Sequence, residues 1–134
     1  MYNALVSSLI YFMETGKRRS VQELGPNELM KVLDDVLQRG TTRDLEALFD
    51  EGMRVDQTDF EGRTSLQLAS FKGDNERILM LFRRGADVNK VFMYQGRIPM
   101  SALDAAREGR KKETEKMLLE HGAKTGKELT QTSS

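Results

Sequence analysis

His121 is the only histidine among the 134 residues, and there is no cysteine. The chain therefore has no thiol nucleophile, no disulfide scaffold, no Cys-ligated zinc or iron–sulfur site and no multi-histidine metal site. A Ser-His-Asp arrangement has only His121 to build on. That residue stands just before Gly122 at the end of a predicted helix, with no partner placed for it. It reads as a polar residue at a helix C-terminus, favourable there when protonated. No Gly-x-Gly-x-x-Gly or Walker motif occurs. The acidic pairs Asp34-Asp35 and Asp50-Glu51 fall on predicted helix faces or ends. General acid–base chemistry would need a buried pocket to separate their pKa values. The expectation is a protein without catalytic residues, cofactor or metal, and not an enzyme.

Charge narrows the remaining classes. Lys+Arg and Asp+Glu are both 21, so the net charge is zero, which argues against a nucleic-acid partner gripped by the whole surface. The balance is uneven along the chain. Residues 89–134 carry nine Lys and Arg against six Asp and Glu, a net +3, while residues 26–55 carry four against seven, a net −3. The basic end centres on Arg107, Arg110, Lys111 and Lys112. No aromatic is interleaved there for base stacking, so it reads as an exposed turn between helices. No stretch approaches the roughly 18 apolar residues of a membrane span. The most apolar window, Ala4 to Met13, is interrupted by Ser7 and Ser8, lacks a basic flank before it, and is followed by Glu14. It reads as a helix rather than a secretory signal, and a cytoplasmic location with no membrane partner is expected.

The elements that must carry any binding surface come from internal repetition. Three segments end alike: Leu45 to Gly52, Ile78 to Gly85 and Glu115 to Gly122. Their closing glycines lie 33 and then 37 residues apart. The upstream stretch Thr64-Ser65-Leu66-Gln67-Leu68-Ala69 returns 37 residues on as Ser101-Ala102-Leu103-Asp104-Ala105-Ala106. An insertion of four residues therefore lies between Asn89 and Ser101, in a loop, where added length costs only about 0.6 kcal/mol per doubling. Thr64 is placed to cap a helix. Leu66 and Ala69, then Ile78, Leu81 and Phe82, follow helical spacing and are expected in the core. Gly73 separates the two helices, and Gly85 supplies a left-handed end to the second.

The central unit, Asp59-Phe60-Glu61-Gly62-Arg63-Thr64-Ser65-Leu66-Gln67-Leu68-Ala69 through Gly85-Ala86-Asp87-Val88-Asn89, resembles the ankyrin-repeat family. It matches the Thr-Pro-Leu-His-x-Ala signature with Ser65 for proline and Gln67 for histidine. The resemblance implies an all-α solenoid of stacked helix-turn-helix units. Three are expected, at about 26–55, 56–88 and 89–125, the outer two atypical. Pro26-Asn27-Glu28 opens a helix to about Arg39 in the first. Residues 1–25 are expected to form an extra N-terminal helix, carrying Leu5, Leu9, Phe12 and Met13 on one face, and a linker, as a segment that caps the open N-terminal end of the stack. Residues 126–134 are expected to be a polar tail.

In ankyrin-type stacks, finger and inner-helix positions form the concave face that grips partners. The resemblance puts Phe60, Glu61 and Arg63 on one finger, Phe71 and Lys72 at the end of an inner helix, and Phe92, Tyr94 and Arg97 one repeat on. The run Val91-Phe92-Met93-Tyr94 either projects from its loop or folds back against the next helix. The expected function is a non-catalytic module that binds another protein through these eight residues. The alternatives are a regulatory or targeting domain of a larger enzyme or signalling protein, and a nucleic-acid-associated regulator using the basic end. A homodimer through an open end of the stack is a further arrangement the reading allows.

Overall fold

The computed structural model describes residues 21–131, so the helix expected within residues 1–20 lies outside the described residues. Among the described residues the fold is mainly α, with two three-residue strands. The chain divides into two compact units, residues 1–61 and 62–134. The boundary falls inside the 56–88 segment, at a turn where Phe60 and Glu61 are exposed and Gly62 takes φ +83°. Exposed turns are where few contacts cross a chain.

The first unit begins with a 3₁₀ turn, Val21–Glu23, and continues into α1, Pro26–Arg39, and α2, Thr42–Asp50. Pro26 takes the first helical position, where its missing N–H is no loss. Glu28 Oε1 accepts from the Gly25 N–H at 3.2 Å. Thr41 and Asp44 cap α2 reciprocally: Thr41 Oγ1 accepts from Asp44 N–H at 3.1 Å and Asp44 Oδ2 from Thr41 N–H at 2.8 Å. The two helices pack together and bury Val32, Leu33, Val36 and Leu37 of α1 with Leu45, Leu48 and Phe49 of α2. Beyond α2, the buried Asp59 accepts from Glu61 N–H at 2.9 Å and shapes the turn that closes the unit.

The second unit holds α3, Ser65–Lys72, and α4, Asn75–Arg83; the strands β1, Phe92–Tyr94, and β2, Ile98–Met100; then α5, Ala102–Glu108, α6, Lys112–Glu120, and α7, Gly126–Thr130. Two helix pairs, α3 with α4 and α5 with α6, are joined because α3 packs along α5. Leu66, Ala69, Ile78 and Leu81 of the first pair are buried with Leu103, Ala105, Ala106 and Leu118 of the second. The small residues of α3 and α5 let the backbones approach closely. A Cβ on Gly109 would run into the carbonyl oxygen of Phe71.

Both pairs start with the same device. Thr64 Oγ1 accepts from Gln67 N–H, and Gln67 Oε1 from Thr64 N–H at 2.7 Å. Ser101 Oγ accepts from Asp104 N–H, and Asp104 Oδ2 from Ser101 N–H at 3.0 Å. Polar rungs tie the pairs together. Thr114 Oγ1 donates to Asn75 Oδ1. Asn89 donates to the Gly122 carbonyl at 3.2 Å and accepts from Lys124 N–H at 2.8 Å.

Two expectations need correction. Phe82 is half-buried rather than core: its ring stacks on that of His121, with centroids 4.1 Å apart and planes 16° from parallel. The polar tail expected from residue 126 starts instead as α7. Thr125 and Glu128 cap it reciprocally, and its first residue, Gly126, is buried against β2, where a Cβ would strike the Pro99 carbonyl.

Candidate functional site

The two strands form an antiparallel hairpin with Phe92 opposite Met100 and Tyr94 opposite Ile98. Its turn takes positive φ at both Gln95 and Gly96, 53° and 72°, as the tight turns that suit strand twist require. The Tyr94 carbonyl accepts from Arg97 N–H at 3.1 Å across it. Strand side chains alternate, so Phe92, Tyr94, Ile98 and Met100 share one face and Met93 takes the other. The hairpin is anchored at both ends. Gln67 Nε2 donates to the Lys90 carbonyl at 2.8 Å just before β1, and α7 packs on β2 just after it in space.

That four-residue face lines a groove of about 700 Å³ in the second unit. Helix α3 contributes Leu68 and Phe71, with Arg63 and Gln67 at its start. Helix α5 contributes Asp104, Ala105, Arg107 and Glu108, and α7 contributes Lys127. The volume and the apolar-aromatic lining with a few charged groups fit a ligand site. Phe71 and Ile98 remain about half exposed, at 50% and 53%, and Tyr94 at 46%. Asp104 Oδ2 accepts from Ser101 N–H and, at 2.6 Å, from Gly126 N–H, which fixes α7 beside the groove. On α7, hydrogen bonds from the Thr125 N–H and hydroxyl hold the Glu128 carboxyl below the ordinary glutamate range. Desolvation opposes the shift, and the charges of Lys124 and Arg107 add smaller reinforcement.

Of the eight residues expected to bind a partner, Arg63, Phe71, Phe92 and Tyr94 line this groove. Lys72 and Arg97 are exposed and do not line it. Phe60 and Glu61 are exposed residues of the first unit, Phe60 at 62%. Within Val91 to Tyr94, Val91 and Phe92 are half-buried while Met93 and Tyr94 are exposed, so the run divides between the two arrangements. Sequence reading missed Leu68, Ile98, Met100 and Lys127. The glycine after Gln95, between two apolar runs, was the signal for the hairpin that brings Ile98 and Met100 in.

The basic segment is an exposed turn, with Arg110 in the left-handed region at φ +57°. Arg107 Nε meets Glu115 Oε1 at 2.9 Å. A second, shallow depression of about 460 Å³ involves only α6 residues, among them Lys116 and Leu119, and is one solvated helix face. His121 Nδ1 lies 2.9 Å from the Met117 carbonyl oxygen, against the stacked Phe82. Among the described residues no group of three or more His, Asp and Glu is placed to hold a metal ion. Among the same residues no helix is long and apolar enough to cross a membrane. No protein-family model matches the chain, and no curated protein matches its sequence.

Proposed function

We propose that the chain is an ankyrin-type repeat protein and acts as a non-catalytic module that binds a protein partner in the groove of its second unit. The observation that carries the binding reading is the half-exposed lining from Phe71, Tyr94 and Ile98 with the half-buried Phe92 beside them, held between a helix and a doubly anchored hairpin. Interface energy concentrates in a few aromatic and arginine side chains that lose their water on binding. Rigid elements behind them limit the ordering entropy that binding must offset. The repeat reading is supported by the recurrence of one capped helix pair. Thr64 with Gln67 and Ser101 with Asp104 start the pairs, and the left-handed Gly85 and Gly122 end them. An intracellular adaptor role in the cytoplasm follows from that reading.

A photo-crosslinking side chain at position 71 tests it against one at position 116 on α6. The partner is expected to be captured from position 71 alone, and Tyr94→Ala should weaken that capture with an unchanged melting temperature. Capture from position 116 alone, or loss only in Arg110→Ala and Lys111→Ala, would move the site to the basic end.

A further inference from the structure

We infer that the groove selects an acidic peptide segment carrying apolar anchors; this rests on the proposed binding role and names its partner chemistry. Residues 62–134 hold fourteen Lys and Arg against nine Asp and Glu, so the unit that contains the groove carries +5, while residues 1–61 carry −5. The charges lining the groove follow the same sign. Arg63, Arg107 and Lys127 stand on it against Asp104 and Glu108, Arg107 being paired as well with Glu115 at 2.9 Å. Asp104 is the less available of the two carboxylates, because its Oδ2 already accepts from the N–H groups of Ser101 and Gly126. The cations come from α5, from α7 and from the residue before the α3 cap, three separate elements that line the same groove as Phe71, Tyr94 and Ile98. The exposed Lys72, Arg97, Arg110 and Lys111 extend the positive field of the same unit beyond the groove. A basic peptide meets net repulsion there, and a neutral one gains nothing from the rim. Complementary charge selects partners and speeds encounter, while the apolar contacts hold the complex.

Panning a random library of displayed peptides against the full chain, with counter-selection on Phe71→Ala, tests this without choosing a sequence in advance. Peptides whose binding depends on Phe71 are expected to carry net negative charge beside two or more large apolar residues. Their affinity should fall by about tenfold in the double variant Arg63→Glu/Lys127→Glu, and severalfold when salt shortens the screening length from about 10 Å to about 3 Å. Retained folding of each variant is checked by its circular-dichroism melt. Phe71-dependent peptides that are neutral or basic would overturn the acidic selection and leave the groove as a protein-binding site. No Phe71-dependent peptide at all would overturn both. A single-stranded oligonucleotide that displaces the selected peptides and binds more tightly than any of them would overturn the peptide assignment in favour of nucleic acid.

Discussion

Gln67 and Asp104 hold the same position on successive helix pairs and fasten the chain that follows with opposite hydrogen-bond polarity. Each accepts from the N–H of its helix cap. Gln67 then donates to the Lys90 carbonyl, whereas Asp104 accepts from Gly126 N–H. The amide can do both because it has a donor and an acceptor end; the carboxylate only accepts. Gln67→Glu should therefore face the Lys90 carbonyl with a second acceptor. The expected cost is about 1–3 kcal/mol, the range for leaving a buried polar group unsatisfied. Urea melts of Gln67→Glu and Asp104→Asn check this. The asparagine variant keeps an acceptor for both N–H groups and should lose less.

Two glycines should fail for different reasons. Gly109 has an ordinary helical φ of −79°, but no room for a Cβ against the Phe71 carbonyl. Gly109→Ala should cost about 1–3 kcal/mol by overpacking. Gly122 has open space but φ +81°. Gly122→Ala should cost about 1–2 kcal/mol from the left-handed backbone alone. Introducing asparagine, which tolerates that backbone, should rescue position 122 and not position 109 in thermal melts.

At the first position of α3 the Ser65 hydroxyl is buried with no hydrogen-bond partner among the described residues. Proline suits that position, and the extended Thr64, at ψ 164°, accommodates it. Ser65→Pro should raise stability by about 0.4–1 kcal/mol. A lowered urea midpoint would show that the pyrrolidine ring does not fit the packing around α3.

The cap of α7 should give way in acid. Glu128 accepts from Thr125 and its carboxyl is held below the ordinary range in the folded state. A depressed folded pKa means its contribution is present above the unfolded value and lost as pH falls through the folded one. Amide signals of Gly126 to Thr130 should move toward disordered positions as pH drops below the usual carboxylate range. Thr125→Ala should bring that change to higher pH. An α7 indifferent to pH over that range would contradict the capping role.

The helix pairs were legible where chemistry is local. Thr64, Gly73 and Gly85 mark helix ends by their own hydrogen bonding or backbone freedom, and all three stand where the spacing put them. Leu81 was legible because its spacing and its burial agree; Leu81→Ala should cost about 2–5 kcal/mol in an urea melt. Phe82 was not, because its neighbour in space is His121, a residue whose ring no spacing argument pairs with it. Helix α7 was hidden because its five residues carry no apolar stripe, although Thr125-x-x-Glu128 is a capping pattern. The groove was half legible. Phe71 and Tyr94 came from repeat position, but Ile98 and Met100 arrive through a hairpin that the four-residue insertion made possible.

In the proposed function, Phe71, Tyr94 and Ile98 form the face that a protein partner covers. Titrating a selected peptide into isotope-labelled chain and following amide and methyl shifts reads that face directly. The largest changes are expected at Leu68, Phe71, Tyr94, Ile98 and Met100, with Lys112 to Glu120 still. Changes centred on Arg110 to Lys116, with the hairpin silent, would contradict it.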